Sequence, residues 1–219
     1  MKQRNFWVIL TGVLIGIAAL ALTALGNPGN MGFCIACFLR DTSGALKLHS
    51  AEVVQYVRPE IVGMILGAMI VAMLTKEFKP RGGSSPMLRF VIAVVVMVGA
   101  LMFLGCPLRM MLRVGGGDLN ALIGLVGFVA GIFVGTLWMR GGFTLKRAYA
   151  QSLTEGLALP IIAASIMALS VFLPSLFAAS ESGPGSMHAP ILIALVVGLV
   201  VGGLCQRSRF CTVAASRDA

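Results

Sequence analysis

The chain has 219 residues, of which 58% are hydrophobic and 11% charged, against about 45–50% and about 25% in soluble domains. With a mean hydropathy of +0.96, 27 glycines and 13 methionines, this composition excludes a water-soluble globule and suits helices packed closely in lipid. The net charge of +9 does not point to nucleic acid as a partner, because the basic residues sit in short clusters between apolar runs, as in proteins oriented in a lipid bilayer.

Apolar runs at 6–26, 61–75, 90–105, 121–139, 157–179 and 189–205 predict six spanning helices, since about 20 helical residues cross a hydrocarbon core of about 30 Å. The first run follows Lys2 and Arg4 and precedes Ala24-Leu25-Gly26. A secretory signal shares those features but carries a shorter apolar core of about 7–15 residues. The second run is short; Pro59 suits its first turn, and Thr75 to Phe78 are read as extending its far end. Ser85-Pro86, Asp118 and Pro190 bring N-cap or first-turn chemistry to the third, fourth and sixth runs. No acidic residue falls inside any of the six runs.

Residues 31–39 and 106–112 are apolar but too short to span. They read as re-entrant half-helices, which often flank a substrate path, with extensions of neighbouring spans or interfacial turns as the alternative. Residues 44–57 read as an amphipathic surface helix. The fold class expected is therefore an all-α polytopic membrane protein. With a cytoplasmic N-terminus, 12 of the 17 lysines and arginines fall on the cytoplasmic side; Arg40, Lys47, Arg58, Arg109 and Arg113 fall opposite.

Phe33-Cys34 and Phe210-Cys211 each open the pattern F-C-x5-R-D, closing on Arg40-Asp41 and Arg217-Asp218. Each copy follows a long apolar helix, and the two helices run in opposite directions, which reads as an inverted repeat. On this reading residues 1–205 form one membrane repeat and 206–219 open a second. The pathway would then be completed by a second copy or by a further C-terminal half.

The segments 26–41 (GNPGNMGFCIACFLRD), 79–85 (KPRGGSS), 104–109 (LGCPLR) and 206–211 (QRSRFC) resemble the YeeE/YedE family of sulfur-transport membrane proteins, most strongly its YedE-like branch associated with selenium metabolism. The resemblance covers nearly the whole chain and implies a bacterial-type inner membrane as its location. It implies two pseudo-symmetric halves that move thiosulfate or a related sulfur species inward past membrane-buried cysteines, with Cys34, Cys106 and Cys211 at the family's cysteine positions. The chain departs from that pattern in lacking most of the second half, including the counterpart of Cys106, and in carrying Cys37 and Cys205. Nothing in the spacing separates a selenium anion from a sulfur anion.

The residues permit such a cargo. A small sulfur- or selenium-containing anion has a polarizable end suited to thiols and an oxyanion end suited to N–H and guanidinium groups. Cys106 before Pro107 is placed to be the N-cap of a helix, where partial positive charge gathers and backbone N–H groups bind anions. Arg109 lies one turn on, and Arg40, Arg113 and Arg217 are further candidate anion contacts. Against this, a single buried cysteine usually serves as a small apolar side chain, and Arg40 with Asp41 and Arg217 with Asp218 can pair at the membrane boundary. Cys34 and Cys37 form a C-x-x-C that can act as a redox pair, although no thioredoxin-like βαβ pattern surrounds it. A membrane thiol-redox protein and a structural subunit are thus the other readings. No cofactor or metal site is implied, and no phosphate loop, Ser-His-Asp order or H-E-x-x-H motif indicates an enzyme.

Overall fold

The computed structural model describes residues 2–103, 105–144, 147–211 and 213. Eight α-helices are found among them: α1 (Lys2–Ala24), α2 (Ile35–Ala45), α3 (Pro59–Leu74), α4 (Pro86–Met102), α5 (Pro107–Gly115), α6 (Leu119–Arg140), α7 (Leu153–Phe172) and α8 (Ile191–Ser208). Six helical stretches are long and apolar enough to cross a membrane. The chain divides into two compact units, Met1–Phe78 with Leu157–Phe210, and Lys79–Gly156 with Cys211–Ala219.

The helix boundaries follow local chemistry. Pro59, Pro86 and Pro107 each take a first-turn position, where a fixed φ and a missing N–H are harmless. Asp118 caps α6 by accepting the amides of Asn120 and Ala121. The extension through Thr75 to Phe78 is not seen: Thr75 is the C-cap of α3, and Lys76 turns the chain left-handed at φ 56°. α7 stops at Phe172 because Pro174 follows, so the expected run to residue 179 is cut short. The surface helix expected over 44–57 is also absent. α2 ends at Ala45 and Lys47 takes φ 61°, after which the Leu48 amide donates to Ser43 O (2.9 Å) and closes the end. Gly44 faces the His49 ring and Val54 O so closely that no Cβ fits, and Glu52–Val54 forms only a 3-10 turn.

In the first unit the organising contact joins α3 and α8. A Cβ on Gly63 or Gly67 would strike the backbone of Leu195 or Leu199, and one on Gly198 or Gly202 would strike that of Glu60 or Met64. Two glycine pairs four residues apart, one on each helix, thus bring the backbones together. The partners rise together, 198 with 60 and 202 with 64, so α3 and α8 run parallel. α1 runs antiparallel to α8, because Gly26 beyond its end meets His188 O while Gly12 faces the Phe210 ring.

The second unit holds α4, α5, α6 and a feature outside the all-α expectation: a two-stranded antiparallel ribbon of β1 (Arg81–Gly83) and β2 (Ala148–Ala150). α4 buries no residue and α6 buries only Ala121, as lipid-facing helices do. At the α4–α6 contact a Cβ on Gly124 would overlap the Phe103 ring.

Gly67→Leu or Gly202→Leu is expected to destabilise the protein by about 1–3 kcal/mol or more through overpacking. Gly131→Leu on α6, where an added Cβ meets nothing within 4 Å, is expected to be neutral. Thermal midpoints in one detergent check the contrast.

Candidate functional site

In the first unit, the segment between α1 and α3 folds around α2. Phe33 is fully buried and takes φ 54°, a left-handed conformation that costs a bulky residue of order 1–3 kcal/mol and persists only where packing enforces it. The next residue, Cys34, is the N-cap of α2: its Sγ accepts the amide of Cys37 at 3.4 Å. Sulfur is a weak acceptor in a position usually held by serine, threonine or aspartate. Both thiols are buried, Cys34 at 2% and Cys37 at 3% exposure. No disulfide joins them.

A buried ionic cluster is centred on Asp41, within α2. Asp41, fully buried, accepts Arg58 Nε at 2.9 Å and Arg40 Nε at 2.8 Å. Arg58, 2% exposed, also donates to Pro184 O at 2.8 Å, reaches Glu60 Oε1 at 3.9 Å and lies 5.6 Å over the Tyr56 ring. Glu60 is itself 2% exposed and takes a 3.4 Å hydrogen bond from Asn27, whose Oδ1 accepts the Ala189 amide at 2.8 Å. Tyr56 stacks on His188 at 4.7 Å. The segment after α1, the start of α3 and the entry to α8 are thereby tied together by charge. A cavity of about 120 Å³ adjoins this cluster, lined in part by Tyr56, Val57, Met167 and Phe177.

In the second unit, Cys106 is the N-cap of α5 with φ −73° and ψ 167°, and Pro107 is the first helical residue, as the sequence order suggests. Arg109 folds back toward that end, its stem lying where a Cβ on Gly105 would sit. Arg113 closes the opposite end of α5: it donates through Nε to Asp118 Oδ2 at 2.8 Å and through Nη1 to Phe103 O at 2.9 Å, and stands 5.8 Å over the Phe103 ring. The hydrogen bonds from Arg113 hold the Asp118 carboxyl below its ordinary pKa, aided by the helix amides of Ala121 and Asn120.

Of the residues singled out from sequence, Cys34 and Cys37 come together at one helix start and Cys106 and Arg109 at another. Arg40 and Arg113 hold carboxylate partners, Asp41 and Asp118. Cys205 is half-buried in α8, and Cys211 is exposed. Arg217 and the rest of the second F-C-x5-R-D copy beyond Val213 lie outside the described residues. The cluster of Arg58, Glu60 and Asn27 was not expected. α3 begins at Pro59, the residue expected in its first turn, so Glu60 lies inside the helix, as Glu155 does in α7; the helices, unlike the apolar runs, carry acidic residues in their first turns. The flanking signal was the run Arg58-Pro59-Glu60 immediately before an apolar stretch.

No protein-family model, curated protein or solved structure matches the chain.

Arg58→Met leaves buried Glu60 without its cation and Asp41 with Arg40 alone, and is expected to destabilise by about 3–5 kcal/mol, whereas Arg58→Met combined with Glu60→Gln recovers much of the loss. Denaturation midpoints test this. The Asp118 contact has a defined pH sense: a lowered carboxyl pKa stabilises the fold above its unfolded value and stops doing so as pH falls through the folded one. The thermal midpoint of the native chain should therefore exceed that of Asp118→Asn at neutral pH, and the difference should shrink in strong acid.

Proposed function

We propose that this chain is a membrane transport protein, or one part of such an assembly, that admits a small sulfur- or selenium-containing anion such as thiosulfate. The observation that carries the reading is the pair of short helices that each open on a cysteine N-cap, Cys34 on α2 and Cys106 on α5. At 1.5 Å per residue, 11 and 9 residues extend about 16 Å and about 14 Å, roughly half a hydrocarbon core.

Helix direction supports the same topology. Antiparallel α1 and α8 with α3 parallel to α8 support a topology in which α2, between α1 and α3, makes no crossing. On the proposed topology α4, α6 and α7 make the three crossings between α3 and α8, and α5, like α2, is re-entrant. Two half-length helices that return to their own side, with N-terminal amides and a thiol at their tips, offer weak sites for both ends of the anion. Weak sites in series let an ion bind and leave. Cys34, Cys106 and Cys211 are proposed to contact the sulfur end, and Arg109 the oxyanion end. Cys37, Arg40, Arg113 and Arg217 are secondary candidates, the first three already engaged in local bonds. The similarity of the cysteine segments to the YeeE/YedE family points the same way. The thiols would remain unmodified through the cycle, so this reading assigns no catalytic step.

A thiol-redox role for Cys34 and Cys37 is favoured by one observation, the Cys37 amide donated to Cys34 Sγ, which would stabilise a thiolate. The near-complete burial of both sulfurs weighs against exchange with a protein partner.

Uptake of labelled thiosulfate, with selenite and selenide-generating mixtures as competitors, separates these readings in cells that lack other sulfur importers. Cys106→Ala is expected to lower uptake by about tenfold, equivalent to about 1.4 kcal/mol, with Cys205→Ala near the native level. Undiminished uptake in Cys106→Ala overturns the relay. Loss in Cys37→Ser as complete as in Cys34→Ser, with Cys106→Ala unaffected, favours the redox role.

A further inference from the structure

The charge of the second unit is unevenly opposed. Residues 79–156 contain Lys79, Arg81, Arg89, Arg109, Arg113, Arg140, Lys146 and Arg147 against only Asp118 and Glu155. Asp118 is taken by Arg113. Among the described residues, no carboxylate lies within ion-pair distance of Arg81, Arg89, Arg140 or Arg147.

The ribbon gathers three of these cations. β1 and β2 pair Arg81 with Ala150, Gly82 with Tyr149 and Gly83 with Ala148, and the Ser84 amide continues the ladder by donating to Arg147 O at 3.2 Å. Side chains alternate across a strand. Arg81 therefore shares a face with Gly83, Ala148 and Ala150, while Arg147 and Tyr149 take the other. Arg89, in the first turn of α4, lies over Gly83 so closely that no Cβ fits there, with its Nε donating to Ser84 O at 3.0 Å. One face of the ribbon is thus a floor of Gly83, Ala148 and Ala150 with two guanidinium groups, Arg81 and Arg89, on it. A guanidinium fork matches two oxygens of a phosphate.

The surroundings indicate which phosphate. α4 and α6, which lead into and out of this region, bury almost nothing and expose apolar side chains. Trp138, near the end of α6, is 68% exposed and Tyr149, in β2, is 61% exposed. Apolar helices that end in exposed tryptophan, tyrosine and arginine have the chemistry of the headgroup layer. We propose that the face of the β1–β2 ribbon bearing Arg81 and Arg89 binds the phosphate headgroup of an anionic phospholipid. The inference does not depend on the transport reading.

Native mass spectrometry of the full chain, released from mixed micelles with equal phosphatidylglycerol and phosphatidylcholine, tests it. The native chain is expected to retain phosphatidylglycerol over phosphatidylcholine by about tenfold, and Arg81→Gln with Arg89→Gln to reduce that preference to about twofold or less. Because Arg89 also holds the ribbon through Ser84, Arg81→Gln alone, expected to give an intermediate preference, serves if the double variant does not fold. Arg207→Gln with Arg209→Gln removes the same charge from another place and should keep the native preference. Equal retention of the two lipids by the native chain overturns the proposal, as does an equal loss in the Arg207 and Arg209 variant, which would mark a diffuse charge effect. Complete displacement of the lipid by millimolar inorganic phosphate also overturns it, in favour of a site for the free ion.

Discussion

The close approach of α3 and α8 is the constraint on which the rest of the first unit depends. Four glycines let the two backbones meet where any larger residue would force them apart, and in lipid such packing supplies the attraction that water supplies to a soluble core. Its direction has a structural consequence. Because α3 and α8 are parallel and α1 opposes both, α1 and α3 are antiparallel, and the segment 25–58 that holds α2 begins and ends on the same side of this helix group.

The ionic cluster answers a problem created by that arrangement. Three backbone segments far apart in sequence converge beside the first turn of α3, where polar groups have little water. Arg58 meets Asp41, Glu60 and a peptide carbonyl together, and Asn27 joins Glu60 to the entry of α8. Hydrogen bonding on this scale makes burial of the charges tolerable, and removal of Arg58 leaves Glu60 without a cation and Asp41 with Arg40 alone. Arg113 performs a similar task in the second unit, gathering the end of α4 and the start of α6 around α5. In both units an arginine–aspartate pair involves a short helix whose N-cap is a cysteine, at Asp41 within α2 and from Arg113 in the last turn of α5.

Much of this was legible in the sequence for reasons of length and local chemistry. Apolar runs long enough to cross lipid stand out against polar clusters, and Pro59, Pro86, Pro107 and Asp118 mark helix starts through effects confined to one turn. Cys106 ahead of Pro107 is an N-cap by the same reasoning. The features that were not legible depend on distant partners. Arg58 finds Pro184 O across 126 residues, a partner that the local run Arg58-Pro59-Glu60 does not indicate. The ribbon joins the Gly-Gly strand β1 to a strand 67 residues away, Gly82 with Tyr149, from segments too short to show alternation. Residues 44–57 have helical spacing, but the contact of Gly44 with His49 and Val54 takes the chain elsewhere.

The pairing of α3 with α8 also sets an order of events during synthesis. Gly198 is made 135 residues after Gly63, so at roughly 5–20 residues per second α3 waits on the order of ten seconds for its partner. During that interval it carries Arg58 at its N-cap and Glu60 in its first turn without the Pro184 carbonyl or the Ala189 link. Its entry into lipid must therefore be provisional until α8 arrives, with the charged end held near water or sheltered by the insertion machinery. Completion of the first unit then becomes a late step, governed by the last helix to emerge rather than by the first.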